Sequence, residues 1–147
     1  MIMKLNYIGR KSKLKEAVNF ANEILNNSHF YSAIGNRTRF DNTELSPSVI
    51  AERIRDWEKP VHVRTYWRPF GDSNAKTGRS SHISMNTAKL NRSKKYIVNT
   101  LIHEYVHAVD FGDDGQLEYT HVDNDNTNGK ENNSAPWAIG KIAEQMV

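Results

Sequence analysis

The chain has 147 residues, a length that favours one domain with a substantial hydrophobic core. It contains no cysteine, which excludes a disulfide framework, a Cys-type zinc ribbon and thiol catalysis. The net charge is +3, with small groups of basic residues at 10–15 and 92–95. This modest charge is typical of ordinary solubility, although the two basic groups could also contact nucleic acid or an acidic wall polymer.

Two helices and a strand are predicted in the first half of the chain. Residues 11–27 carry apolar side chains at helical spacing, which predicts an amphipathic helix. A second helix begins at Pro47, which suits a first helical position after Ser46 as N-cap, and it ends before Lys59. In residues 61–68, Val, Val, Thr and Trp alternate with His, Arg, Tyr and Arg, and this alternation predicts a strand with one buried face.

The second half of the chain is predicted to add a strand and two helices. Residues 69–78 form a polar loop, and residues 81–86 form a short strand. Apolar periodicity predicts a third helix over 94–112, with the glycine at its end. Residues 113–133 form a long irregular loop, a length that indicates a function, and residues 135–146 form a final helix. The whole chain is therefore predicted to be a single α+β domain.

The N-terminal segment 1–10 has no apolar stretch of signal-peptide length, and no segment of the chain approaches the length of a transmembrane span. We therefore expect a cytoplasmic protein that has no export signal of its own and does not insert into a membrane.

The third predicted helix contains the motif His103-Glu104-Tyr105-Val106-His107, which has the form HExxH. Residues four apart lie on one face of an α-helix, so both imidazoles can reach a single metal ion. Glu104 lies on an adjoining part of that face, where it can act on a metal-bound water. The motif therefore predicts a zinc site with a general base beside it.

The rest of this helix supports the same interpretation. On a helical wheel its apolar residues fill one continuous arc, and the two histidines and Glu104 lie on the opposite side. The predicted buried residues of the arc are Ile97, Val98, Leu101, Ile102, Tyr105, Val106 and Val109. A helix of this kind suits the floor of a cleft.

Catalytic zinc usually takes three protein ligands, so a third ligand is expected beyond His107. The candidates in chain order are Asp110, Asp113, Glu118, His121 and Glu131. His121 is favoured, because a loop of that length can fold back over the helix it left. Asp113 has the spacing of a metzincin ligand, but Asp110 stands where that pattern needs a glycine.

These motifs together resemble a known group of enzymes. HEYVH at 103–107, a later histidine at His121 and the preceding strand SHISMN at 81–86 resemble the SprT-like zincin metallopeptidases. They resemble still more the small metallopeptidases encoded by bacteriophages and prophages, whose ending is matched by GKEN at 129–132 and APWAIG at 135–140.

The resemblance covers about residues 66–140 and implies a single zincin-like domain with a small sheet, an HExxH active-site helix and a C-terminal helix. It implies one Zn²⁺ per chain, held by His103, His107 and His121. It also implies that Glu104 is the catalytic base, which takes a proton from a zinc-bound water as that water attacks a peptide bond. A protein or peptide, including a peptide cross-link in a bacterial wall, is the expected substrate.

Two alternatives remain at this stage. The chain could be a catalytically silent zincin-fold module that binds metal, or a DNA-associated module in which basic residues at 92–95 dominate. The chain lacks the Cys-rich zinc ribbon that often accompanies SprT proteins, which leaves the DNA-linked role of that branch without its usual support.

Several further residues have alternative interpretations. Tyr119 could stabilise an oxyanion or simply pack, and Asp110 could hold an imidazole N–H or simply end the helix. His82 could reach the cleft or lie on an exposed strand position. The strand 81–86 could pair through its backbone with an extended substrate. We assign the three tryptophans to core packing: Trp57, Trp67 and Trp137.

Overall fold

The computed structural model describes residues 3–41, 43–71, 73–78, 82–114, 118–120 and 133–147, with the side chains of 113 and 114 excepted. Its helices are α1 (Ser12–Leu25), α2 (Ser28–Gly35), α3 (Pro47–Asp56), α4 (Lys94–Asp114) and α5 (Ala135–Glu144). Its strands are β1 (Leu5–Asn6), β2 (Val61–Tyr66), β3 (Ala75–Gly78) and β4 (His82–Asn86). The predicted α+β class is confirmed.

The four strands form one mixed sheet in the order β1-β2-β4-β3. β1, β2 and β4 run parallel, and β3 pairs antiparallel with β4 at the edge. Apolar side chains on one face of the sheet are buried against the helices: Leu5, Val61, Val63, Ile83 and Met85. The opposite face carries mostly polar side chains.

Helix α4 is the central element of the molecule. It packs against α1, α5 and strands β3 and β4. Every residue of its predicted apolar arc is buried: Ile97, Val98, Leu101, Ile102, Tyr105, Val106 and Val109. The helical-wheel prediction is therefore confirmed, and the opposite side of α4 carries the HExxH residues.

Close packing of α5 on α4 depends on Gly140. A Cβ atom at this position would collide with the side chain of Asn99 and lie 3.1 Å from its backbone oxygen. Glycine therefore lets the two helix backbones approach, and Asn99 then donates a hydrogen bond to Glu144 at 2.9 Å.

Several element predictions need correction. The helix predicted over 11–27 ends at Leu25, and the side chain of Asn27 caps a separate helix, α2, by accepting a hydrogen bond from the His29 N–H at 2.9 Å. The loop predicted over 69–78 contains strand β3, and the two-residue strand β1 was not predicted. By contrast, Ser46 caps α3 as expected, accepting from the Val49 N–H at 3.3 Å.

Two further predictions were wrong. Gly112 does not end α4, which continues to Asp114, because a glycine ends a helix only where it adopts a left-handed conformation and Gly112 stays helical. Trp67 is not a core residue, since 71% of its surface is exposed beyond the end of β2. Trp57 and Trp137 are both half-buried.

Candidate metal centre

Helix α4 places the three HExxH side chains at the boundary between core and solvent. His103, Glu104 and His107 are half-buried, whereas their neighbours Tyr105 and Val106 are fully buried. The amphipathic pattern of α4 thus fixes which side of the helix faces the core and leaves the opposite side to carry the polar groups.

The two imidazole rings lie side by side. Their centroids are 5.1 Å apart and their planes are tilted by 56°. Two imidazoles that bind one tetrahedral zinc ion through nitrogens at about 2.0–2.1 Å have centroids roughly 5 Å apart. The spacing of His103 and His107 therefore fits two ligands of one zinc ion.

Trp137 of α5 contacts the first histidine. Its ring meets the His103 ring edge to face, with centroids 5.2 Å apart and an interplanar angle of 87°. Such a contact limits the orientations of the imidazole and covers one side of it. Trp137, assigned from the sequence to core packing, therefore belongs to the surroundings of the candidate site.

Glu104 points toward the edge strand β3. The Thr77 hydroxyl lies within hydrogen-bonding distance of Glu104 Oε2 and 3.2 Å from the Glu104 carbonyl oxygen. Burial raises the pKa of Glu104 to about 7, while the hydrogen bond from Thr77 acts in the opposite direction. A carboxyl with a pKa near neutrality can both accept and return a proton at physiological pH.

Nothing in the sequence indicated Thr77 as part of this site. It lies in the segment AKTG, which lacks the alternating apolar residues of a half-buried strand. Pairing with β4 makes this segment a strand, and that pairing brings Thr77 to α4.

The strand predicted to pair with substrate is in the wrong position to do so. β4 lies between β2 and β3, so its main chain is paired on both sides. β3 lies at one edge of the sheet, and it is the strand beside Glu104. His82 on β4 is half-buried and lies in register with His62, on the side of the sheet opposite the helices, so it faces away from α4 and its HExxH residues.

Two of the third-ligand candidates have other partners. Asp110 is buried, and its carboxylate accepts hydrogen bonds from the backbone N–H groups of Glu118, Tyr119 and Thr120 and from the Thr120 hydroxyl, at 2.7–3.2 Å. These donors, and not an imidazole N–H, are its partners among the described residues. Nor does Asp110 end the helix. The Glu118 carboxylate forms an ion pair with Arg53.

The remaining third-ligand candidates lie outside the described residues. These are His121, Glu131 and the side chain of Asp113. Within the described ranges, no group of three His, Asp or Glu side chains lies close enough to hold a metal ion. The chain segment just before His121 is nevertheless fixed, because Asp110 anchors residues 118–120 beside the C-terminal part of α4.

Tyr119, considered as an oxyanion donor, is 1% exposed and belongs to the hydrophobic core. This burial favours the packing role.

Comparison of the chain with protein-family models, with curated proteins and with solved structures found no match. Among the helices that the structure describes, none combines the length and apolarity needed to cross a membrane. The geometry of α4 and its neighbours is therefore the indication of function that this chain offers.

Proposed function

We propose that this protein is a zinc-dependent peptidase of the zincin type, with His103, His107 and His121 as metal ligands and Glu104 as general base. One observation carries the proposal. Helix α4 holds two imidazoles 5.1 Å apart on the side away from the core, with a carboxyl group of raised pKa between them in sequence. A non-catalytic metal site has no need of such a carboxyl group.

Zinc, when bound, supplies a Lewis acid that polarises a carbonyl oxygen and makes water more acidic. The chain supplies the proton transfers. Glu104 accepts a proton from the attacking water and delivers it to the nitrogen of the leaving amine, so that the carboxylate is regenerated. A pKa near 7 suits both transfers, because neither protonation state of Glu104 is strongly disfavoured.

Neighbouring residues would orient this machinery. The Thr77 hydroxyl holds Glu104 Oε2, and the Trp137 ring restricts His103. Strand β3 lies beside Glu104, and its second side pairs with none of the described strands, so that side could pair with an extended peptide, the role that the sequence suggested for β4. A protein or peptide substrate is consistent with this arrangement.

Zinc content and peptide cleavage, measured on the same preparations, test the proposal. Wild type and Glu104→Gln should each bind one zinc ion per chain, and only wild type should cleave a mixed peptide library. His121→Ala should lose zinc, whereas His29→Ala, which alters an exposed histidine on α2, should keep both zinc and activity.

Three results would count against parts of this assignment. Absence of zinc from wild type would exclude a metallopeptidase. Zinc without cleavage would favour the catalytically silent metal-binding module. If His121→Ala retained zinc, the third ligand would be Asp113 or Glu131 instead of His121.

A further inference from the structure

The sheet face opposite the helices is open and basic. His62, Arg64 and Lys76 are exposed on it, and Tyr66 and His82 are half-buried. The strand register places these five residues on one side of β2, β4 and β3, since His62 pairs with His82 and both Arg64 and Lys76 pair with Ser84. We call these five residues the open face. No acidic residue occurs in any of the four described strands.

Charge is distributed unevenly along the chain in a way that matches this face. Residues 61–95 contain eight of the 20 Lys and Arg residues but only one of the 17 Asp and Glu residues, which is Asp72. Their net charge is therefore +7, while the whole chain carries +3. The part of the chain from β2 to the first two residues of α4 is thus positive, and the rest of the chain is negative.

Arg64 and Lys76, which flank Ser84 in the strand register, are the two permanent cations of the open face. Among the described residues, neither Arg64 nor Lys76 forms an ion pair. The pKa of His82 is lowered by burial and then by the charges of Arg64 and Lys76. The Lys76 ammonium also lies 4.9 Å from the centroid of the Tyr66 ring. The face therefore combines uncompensated positive charge with an aromatic ring.

Two more exposed aromatic side chains lie close to Tyr66 in the sequence. Trp67 and Phe70, in the connection after β2, are 71% and 85% exposed. The buried side chain of Asn86 holds this connection through hydrogen bonds with the N–H and carbonyl of Arg68 and with the carbonyl of Ser73, at 2.8–3.0 Å. The exposed rings are therefore presented on a fixed backbone, which reduces the entropy lost on binding.

The basic group at 92–95 is a weaker candidate for binding a polyanion. Arg92 is half-buried and donates hydrogen bonds to the Lys89 carbonyl at 2.7 Å and to the Thr100 hydroxyl at 3.0 Å. Lys94 forms an ion pair with Glu16 at 3.3 Å. The ion pair compensates the charge of Lys94, and the hydrogen bonds hold the Arg92 guanidinium against α4, so both are less available to a ligand than the exposed Arg64 and Lys76.

We propose that the open face, together with Trp67 and Phe70, binds single-stranded nucleic acid. Arg64, Arg68 and Lys76 would contact phosphates, and the aromatic rings would stack on bases. The face measures roughly 14 by 17 Å, which suits a few unstacked nucleotides. In a duplex the bases are stacked on one another and cannot stack on the exposed rings, so single-stranded nucleic acid fits better than a duplex. An acidic peptide would bind through its charge alone and would make no use of the exposed aromatic rings. A ligand whose bases can stack on those rings therefore fits best.

Fluorescence anisotropy with a labelled oligothymidylate of about 12 nucleotides tests this proposal over a series of salt concentrations. Arg64→Gln/Lys76→Gln should weaken binding and reduce the slope of log K against log salt by about 1.4, since each phosphate contact contributes about 0.7. Trp67→Ala/Phe70→Ala should weaken binding on the order of tenfold per ring and leave the slope unchanged.

A matched control removes the same charge elsewhere. Lys13 and Lys15 are exposed on α1, which packs with α4 on the other side of the sheet, so Lys13→Gln/Lys15→Gln should bind almost as wild type does. Circular dichroism establishes that each variant is folded.

The proposal is overturned by any of three results. One is undetectable binding by wild type at about 50 mM salt. A second is equal weakening in the α1 control and the open-face variant, which would indicate non-specific attraction. The third is equally tight binding of a poly-glutamate peptide or of anionic lipid vesicles in place of the oligonucleotide, which would mean that stacking has no part.

Discussion

At the scale of single residues, Glu104 is a half-buried carboxyl group whose pKa is displaced from its ordinary value. Its folded-state pKa of about 7 lies above the ordinary value of 4.5. Between these two pH values the folded state keeps a proton that the unfolded state has lost. The free energy of unfolding of the metal-free protein should therefore fall as pH rises from about 4.5 to 7, by on the order of 2 kcal/mol from this group.

Urea unfolding of wild type and Glu104→Gln in the presence of a chelator measures this contribution. The two proteins should have similar stability near pH 5, where Glu104 is protonated, and the variant should be the more stable above pH 7. Other titrating groups are common to both proteins, so the difference isolates Glu104. A difference that does not change with pH would show that the carboxyl titrates normally.

At the scale of elements, the contact between strand β3 and helix α4 depends on Thr77. If the proposed function holds, Thr77→Val should lower kcat about tenfold with little change in KM, because it removes a hydrogen bond to the general base and not to substrate. Thr77→Ser should restore most of the activity, since it keeps the hydroxyl. Steady-state kinetics on zinc-loaded protein tests this, and a Val variant with wild-type kcat would dismiss the role.

Prediction from sequence succeeded for elements that carry their own pattern. The buried arc of α4, the start of α3 at Pro47 and the strand β2 all follow from periodicity and capping within one segment. It failed for β1 and β3, whose two and four residues become strands only through pairing with distant partners. In the candidate site, the HExxH residues have a local signature, whereas Thr77 and Trp137 reach it only through tertiary packing.

At the scale of the whole molecule, residues 118–120 join segments that are far apart in the chain. The Asp110 carboxylate accepts from their backbone, the Thr43 hydroxyl donates to the Glu118 carbonyl at 2.9 Å, and Arg53 pairs with the Glu118 carboxylate. The region before α3, α3 itself and α4 are thereby connected at one point. That point immediately precedes His121, the proposed third ligand, in the sequence.

Asp110 is the centre of this connection, because its buried carboxylate satisfies three consecutive backbone N–H groups and one hydroxyl. Asp110→Asn replaces one acceptor oxygen by a donor and leaves buried N–H groups unsatisfied, so it should lower the free energy of unfolding by about 2–4 kcal/mol. Asp56→Asn, at an exposed carboxylate paired with Arg55, is the matched control and should change stability little. Chemical denaturation of metal-free protein measures both variants. Equal effects would mean that residues 118–120 are held by their other contacts and that Asp110 contributes no more than a surface ion pair.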